Sequence, residues 1–139
     1  MKRSLAASAL LLITLTASLT AFAGKEEREY AKNELTPAVK AAETKFKEAC
    51  GCALKINISD TLKSVDDMRQ AKYISAAITD GAPGYCNDAE SKKAMCVLKT
   101  LDIVKSGETK FTFKGGKGTA ATDGNSYVSW DMITREIDK

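Results

Sequence analysis

The sequence predicts an α+β domain: about three helices packed on one face of a small, mainly antiparallel sheet of roughly four strands, stapled by disulfides. Three observations carry this. Stretches with apolar residues every three or four positions are interleaved with stretches in which apolar and polar residues alternate. Each alternating stretch has a single apolar face, so helices should cover one side of the sheet and leave the other solvated or free for binding. Finally, the four cysteines, Cys50, Cys52, Cys86 and Cys96, follow a leader of the export type.

The leader opens Met1-Lys2-Arg3, runs uncharged from Ser4 to Phe22, and closes on Ala21-Phe22-Ala23 before the charged burst Lys25-Glu26-Glu27-Arg28-Glu29. A basic start, an apolar middle and small residues at −3 and −1 are what a signal peptidase reads. A retained span needs about 20 apolar residues, and this stretch is shorter and interrupted by Thr and Ser. Residues 1–23 are therefore expected to be a cleaved signal peptide and 24–139 a single α+β domain. The expected setting is periplasmic or secreted, with no retained membrane anchor. Losing Lys2 and Arg3 lowers the 21 basic residues by two against 18 acidic ones, leaving about +1. That near-neutral balance gives no electrostatic footprint for nucleic acid.

From Lys25 to Cys50 the pattern is helical. Leu35, Val39, Ala42, Phe46 and Ala49 fall on one face, and Lys40, Glu43, Lys45 and Lys47 on the others. Thr36 suits an N-cap and Pro37 a first helical position, which predicts two pieces. Gly51 stands where a left-handed C′ glycine would end the helix. Cys52, Leu54, Ile56 and Ile58 then alternate with polar neighbours as a half-buried strand. Asn57-Ile58-Ser59 matches a glycosylation sequon, read as chance within a strand. Ser64 and Asp67 make a capping-box start for a helix over Val65–Thr79. Asp66 and Asp67 are read as first-turn charge rather than a catalytic pair. The run Asp80-Gly81-Ala82-Pro83-Gly84 is expected to end that helix.

Asn87 or Asp88 caps a short charged helix. The stretch 94–104 is ambiguous and is read as helix to Met95 or Leu98, then strand to Lys105. Thr109, Phe111 and Phe113 alternate with lysines and a threonine as a further strand. A loop at Ser106-Gly107-Glu108 would set Ile103 opposite Phe111 and Leu101 opposite Phe113, stacking apolar partners in a hairpin. Gly115–Asn125 reads as a long mobile loop. Its Lys114-Gly115-Gly116-Lys117-Gly118-Thr119 lacks the order of a phosphate loop. Tyr127–Ile133 reads as a last strand, with Trp130 packed on its apolar face.

Four cysteines allow three pairings. Joining Cys50 to Cys52 would close a small strained ring, while the others tie this helix–strand corner to Cys86 and Cys96. Of these, 50–86 with 52–96 is preferred. A redox pair at Cys50-Gly51-Cys52 is disfavoured, because a helix C-terminus destabilises a thiolate.

The chain has no histidine, which removes Ser-His-Asp and Cys-His nucleophiles and histidine-ligated metals. No cofactor and no metal are expected. The pattern points to a non-catalytic exported binding protein, such as an inhibitor or immunity-type protein, with a protein partner. Loops held by a rigid scaffold are the usual carriers of binding. Pro83 and Tyr85 in the first loop, and Lys117 and Asp123 in the second, are the candidate partner-binding residues. The alternatives are a binder of a small ligand or envelope component at the helix–sheet interface, and a thiol–disulfide protein using Cys50 and Cys52.

Overall fold

The computed structural model describes residues 24–139, so the expected leader, 1–23, lies outside the described residues. Helix α1 (Lys25–Tyr30) passes through one π-helical turn (Ala31–Leu35) into α2 (Thr36–Cys50). Strand β1 (Lys55–Ile58), α3 (Val65–Tyr85) and α4 (Ala89–Met95) follow, then β2 (Thr100–Lys105), β3 (Lys110–Lys114), β4 (Lys117–Thr122) and α5 (Trp130–Ile137). The strands form one sheet in the order β1-β2-β4-β3. The domain is α+β with two disulfides, and its sheet is mixed rather than mainly antiparallel. β1–β2 and β2–β4 run parallel, and only β3–β4 is antiparallel.

No break occurs at Thr36-Pro37. Thr36 is itself helical (φ −58°, ψ −44°) and caps nothing. A proline inside a helix crowds the carbonyl four residues back and gives it no donor. The wider π turn over Ala31–Leu35 lies at that carbonyl, and π turns are one way a helix absorbs such a misfit. The continuous helix buries Ala31, Leu35, Val39, Ala42, Phe46 and Cys50. It ends as expected at Gly51 (φ 80°, ψ 10°), whose N–H donates to the Lys47 carbonyl at 2.9 Å.

The capping box of α3 forms: Asp67 N–H donates to Ser64 Oγ at 3.0 Å and Ser64 N–H to Asp67 Oδ2 at 3.4 Å. The expected stop at Asp80–Gly84 does not. The helix continues through Gly81 and Pro83 to Tyr85, so the first candidate loop is helix. Tertiary packing outweighs the local breakers. Ala82 is fully buried, its carbonyl accepts from Cys86 N–H at 2.9 Å, and Cys86 is bridged to α2.

Gly81 is where the Trp130 ring lies on the helix: an added Cβ would come within 2.3 Å of Trp130 Cγ. Trp130 is not on a strand either. Ser129 caps α5 by accepting from Met132 N–H at 3.2 Å. Trp130, Ile133 and Ile137 then share one helical face towards the core.

The expected β2–β3 hairpin is absent, because β4, read from the sequence as loop, lies between its two strands. The apolar rows survive with one small residue in the middle: Ile103–Ala120–Phe111 and Leu101–Gly118–Phe113. Chain reversal occurs instead at Gly115-Gly116, both with positive φ (59° and 83°), as a two-residue hairpin turn. At Gly118 a Cβ would stand 2.8 Å from the Phe111 ring and 2.9 Å from Leu98 Cδ1. Gly118→Ala should therefore destabilise the fold by about 1–3 kcal/mol through overpacking, read as a lower midpoint in urea unfolding. An unchanged midpoint would contradict this packing.

The disulfides are Cys50–Cys86 and Cys52–Cys96, with Cα separations of 5.1 and 6.0 Å. They fasten the end of α2 and the approach to β1 to the ends of α3 and α4. Stretch 94–104 resolves into helix to Met95 and strand from Thr100. Helices cover the face carrying Ile56, Leu101, Ile103 and Phe111. The other face is polar: Asn57 Nδ2 donates to Asp102 Oδ1 at 3.0 Å, and Lys117 pairs with Asp102 at 2.9 Å.

Candidate functional site

A groove runs between α2, with its π turn, and strand β1. Strand β1 is at the sheet's edge, paired only with β2. Lys55 N–H donates to the Lys99 carbonyl at 3.1 Å and Ser59 N–H to the Ile103 carbonyl at 3.0 Å. Because backbone groups alternate sides along a strand, the N–H and C=O groups of Leu54, Ile56 and Ile58 point out of the sheet into the groove. Their side chains lie on the helix-covered face. Ile56 N–H does not face solvent alone, since it donates to Glu43 Oε2 across the groove at 2.8 Å.

The groove holds two adjoining cavities of about 390 and 240 Å³, and Glu43 and Lys55 wall both. Leu35, Val39, Ile56 and Ile58 give the smaller one an apolar floor, with Lys40 at its rim. The larger is flanked by Lys47, Lys55 and Lys99. None of these four lysines forms an ion pair among the described residues. The site is thus a strip of open backbone over an apolar floor, with four uncompensated cations and one internally engaged carboxylate. It can hold an anionic, partly apolar chain. It presents no nucleophile paired with a base.

The four residues singled out from the sequence lie elsewhere and are not brought together. Pro83 and Tyr85 are in the last turn of α3. The Tyr85 hydroxyl donates to Asp138 Oδ1 at 2.5 Å, and its ring meets Trp130 edge-on at 6.1 Å between centroids. Burial, then this hydrogen bond to a carboxylate, pushes its hydroxyl up to about 12. Lys117 begins β4 and Asp123 follows its end, roughly 20 Å apart at about 3.3 Å per residue. Lys117 is held by Asp102. Asp123 accepts from Asn125 N–H, Ser126 N–H and Ser126 Oγ at 2.8, 2.9 and 3.1 Å, and these donors lower its pKa. It shapes a turn.

A second charged cluster lies at the carboxyl ends of β2 and β4. Asp67, 5 % exposed, accepts from Lys105 Nζ at 2.5 Å. A Cβ on Gly124 (φ 92°) would meet both groups within 3 Å, so only glycine lets that turn close over the pair. Burial pushes the Asp67 carboxyl up, but the hydrogen bond from Lys105 and the Ser64 N–H outweigh it and leave the pKa lowered. A carboxylate with a depressed folded pKa stabilises above its unfolded value of about 4, and that stabilisation is lost as pH falls through the folded value. Asp67→Asn should therefore flatten the acid limb of a melting-temperature profile below about pH 4. An unchanged acid limb would show that other carboxylates carry it.

Among the described residues no group of three His, Cys, Asp or Glu side chains could hold a metal ion, and no helix is long and apolar enough to cross a membrane. No protein-family model, curated protein or solved structure matches the chain. Its function is read from its own geometry. Lys40, Glu43 and Lys47 look like a solvated helix face in the sequence. Their spacing of three and four does place them on one stripe beside Val39. What no local pattern reveals is that the stripe faces an unpaired strand edge.

Proposed function

We propose that this is an exported, disulfide-held, non-catalytic binding protein that grips a polypeptide partner in the α2–β1 groove. The observation carrying the reading is the outward-facing backbone of β1, set in a groove rimmed by Lys40, Lys47, Lys55 and Lys99. Two disulfides fit an oxidising compartment. They also fasten the ends of both groove walls, and rigid walls reduce the ordering cost of binding.

A small anionic ligand is the second reading, since a cavity of about 390 Å³ falls in the usual range for such sites. Small-ligand sites, however, enclose most of their ligand, and this groove is open along its length. A thiol–disulfide role is weaker still, because Cys50 and Cys52 are each joined to a different distant cysteine.

The test is affinity capture by the purified mature protein from a periplasmic or culture-supernatant extract, repeated with Lys47→Glu/Lys99→Glu. The reading expects a protein captured by the wild type and lost with the charge reversals. It fails if capture is indifferent to the reversals. It fails also if nothing is captured while a small anion raises the melting temperature.

A further inference from the structure

Resting on that reading, we infer that the groove's occupant is an acidic, extended polypeptide segment that adds to the open edge of β1 as a fifth strand, taking the Ile56 N–H from Glu43. The backbone supplies the first argument. Strand addition satisfies a row of outward N–H and C=O groups, and among the described residues the protein itself meets that row only at Ile56, with a carboxylate oxygen 2.8 Å away. A side-chain carboxylate there occupies the place of an incoming strand's carbonyl. Glu43 is half-buried on the groove wall and its side chain makes no bond but this one among the described residues, so turning it aside costs the fold a single hydrogen bond.

Charge supplies the second. Lys40, Lys47, Lys55 and Lys99 flank the same edge without ion-pair partners among the described residues. The domain as a whole is near neutral, so this concentration is local and complementary to acidic side chains.

The third is the period of a strand. Side chains alternate between faces, so one set would meet the floor of Leu35, Val39, Ile56 and Ile58 and the other the lysines. The fitting sequence alternates acidic and β-branched residues over the length of β1, four residues or about 13 Å. A second copy of this chain fits poorly, because edge-to-edge pairing of β1 would set two groups of lysines against each other.

The rival is an edge that is merely guarded, since lysines and inward charges also blunt strand edges against aggregation. The experiment uses isotope-labelled mature protein and two end-blocked short peptides, one alternating glutamate with valine and one alternating lysine with valine. Strand addition predicts binding of the acidic peptide alone, with the Ile56 amide shifted and slowed in solvent exchange. Lys47→Glu/Lys99→Glu should weaken it about tenfold or more. Glu43→Gln should tighten it several-fold by removing a like charge and replacing a charged competing acceptor with a weaker, neutral one.

Binding of neither peptide, with Glu43→Gln self-associating, would mean a guarded edge and overturn the inference. If a captured protein protects α2 residues in exchange while leaving the Ile56 amide unchanged, the groove reading stands and strand addition fails. Loss of groove protection altogether would remove both.

Discussion

Replacing Cys50 and Cys86 together with alanine should lower the melting temperature by roughly 10–25 °C under non-reducing conditions. The bridge spans a sequence separation of 36 residues. Releasing a loop of that size restores denatured-state entropy equivalent to about 4 kcal/mol in the chain-entropy model, and each kcal/mol moves the midpoint of a domain this size by roughly 3–6 °C. Both cysteines are buried, at 2 % and 4 % exposure, and belong to the core cluster with Phe46 and Ala82. Their removal therefore also leaves a packing defect. The Cys52–Cys96 bridge closes a loop of similar size, with a separation of 44, but both residues are only half-buried. Its double-alanine variant should lose the entropic part with a smaller share of packing, and melt higher than the first. Thermal unfolding followed by circular dichroism decides the order. Equal midpoints for the two variants would mean that burial at Cys50 adds nothing.

Gly81→Ala should destabilise the protein by about 2–4 kcal/mol. In most helix interiors the same change is favourable by roughly 0.5–1 kcal/mol, because glycine has more backbone entropy to lose. Here the sign reverses. The new methyl would sit 2.3 Å from Trp130 Cγ and 2.5 Å from Cδ1 and Cδ2, inside any allowed contact. The ring must leave its seat against Tyr85, or α5 must move off α3, and overpacking of this kind costs about 1–3 kcal/mol before the helix shift is counted. Removing the ring as well should relieve the clash. Gly81→Ala/Trp130→Ala should thus lose less than the sum of the two single changes, by about 1 kcal/mol or more. Urea unfolding read by circular dichroism suits all four proteins. Additive losses would show that Gly81 is not the seat of the ring.

Gly81 also marks where local reading of this sequence gives way to tertiary structure. The capping box at Ser64 and Asp67, the left-handed Gly51, a cap at Asn87 or Asp88 and the one-faced strands β1 and β3 were legible, because each depends on residues within about four positions. Eliminating the short ring left two disulfide pairings, and the one preferred between them, 50–86 with 52–96, is the one formed. The end of α3 was not legible, because Gly81 and Pro83 are helix breakers only when nothing packs on them. Gly81 is small to admit Trp130, and Pro83 sits in a last turn held by Cys86.

Strand β4 was hidden for the same reason. Gly118 and Ala120 look like loop composition, yet they are small because Phe111, Leu98 and the neighbouring strands crowd that position. Missing it turned a mixed sheet into an expected hairpin, although the apolar rows through Leu101 and Ile103 were right. The candidate site suffered most. Lys40, Glu43 and Lys47 belong to one helix and Lys55 to a strand, and only the sheet order shows that β1 is an edge and that they border one groove.

The most direct test of that groove as the binding surface is site-specific photo-crosslinking in the cell that makes the protein. The reactive group would be placed in turn at Thr44, on the groove wall, and at Thr119, on the sheet's opposite, solvent-facing side. A discrete protein adduct from Thr44 and none from Thr119 is the predicted result. An adduct from Thr119 with none from Thr44 would contradict it and move the partner to the polar face of the sheet.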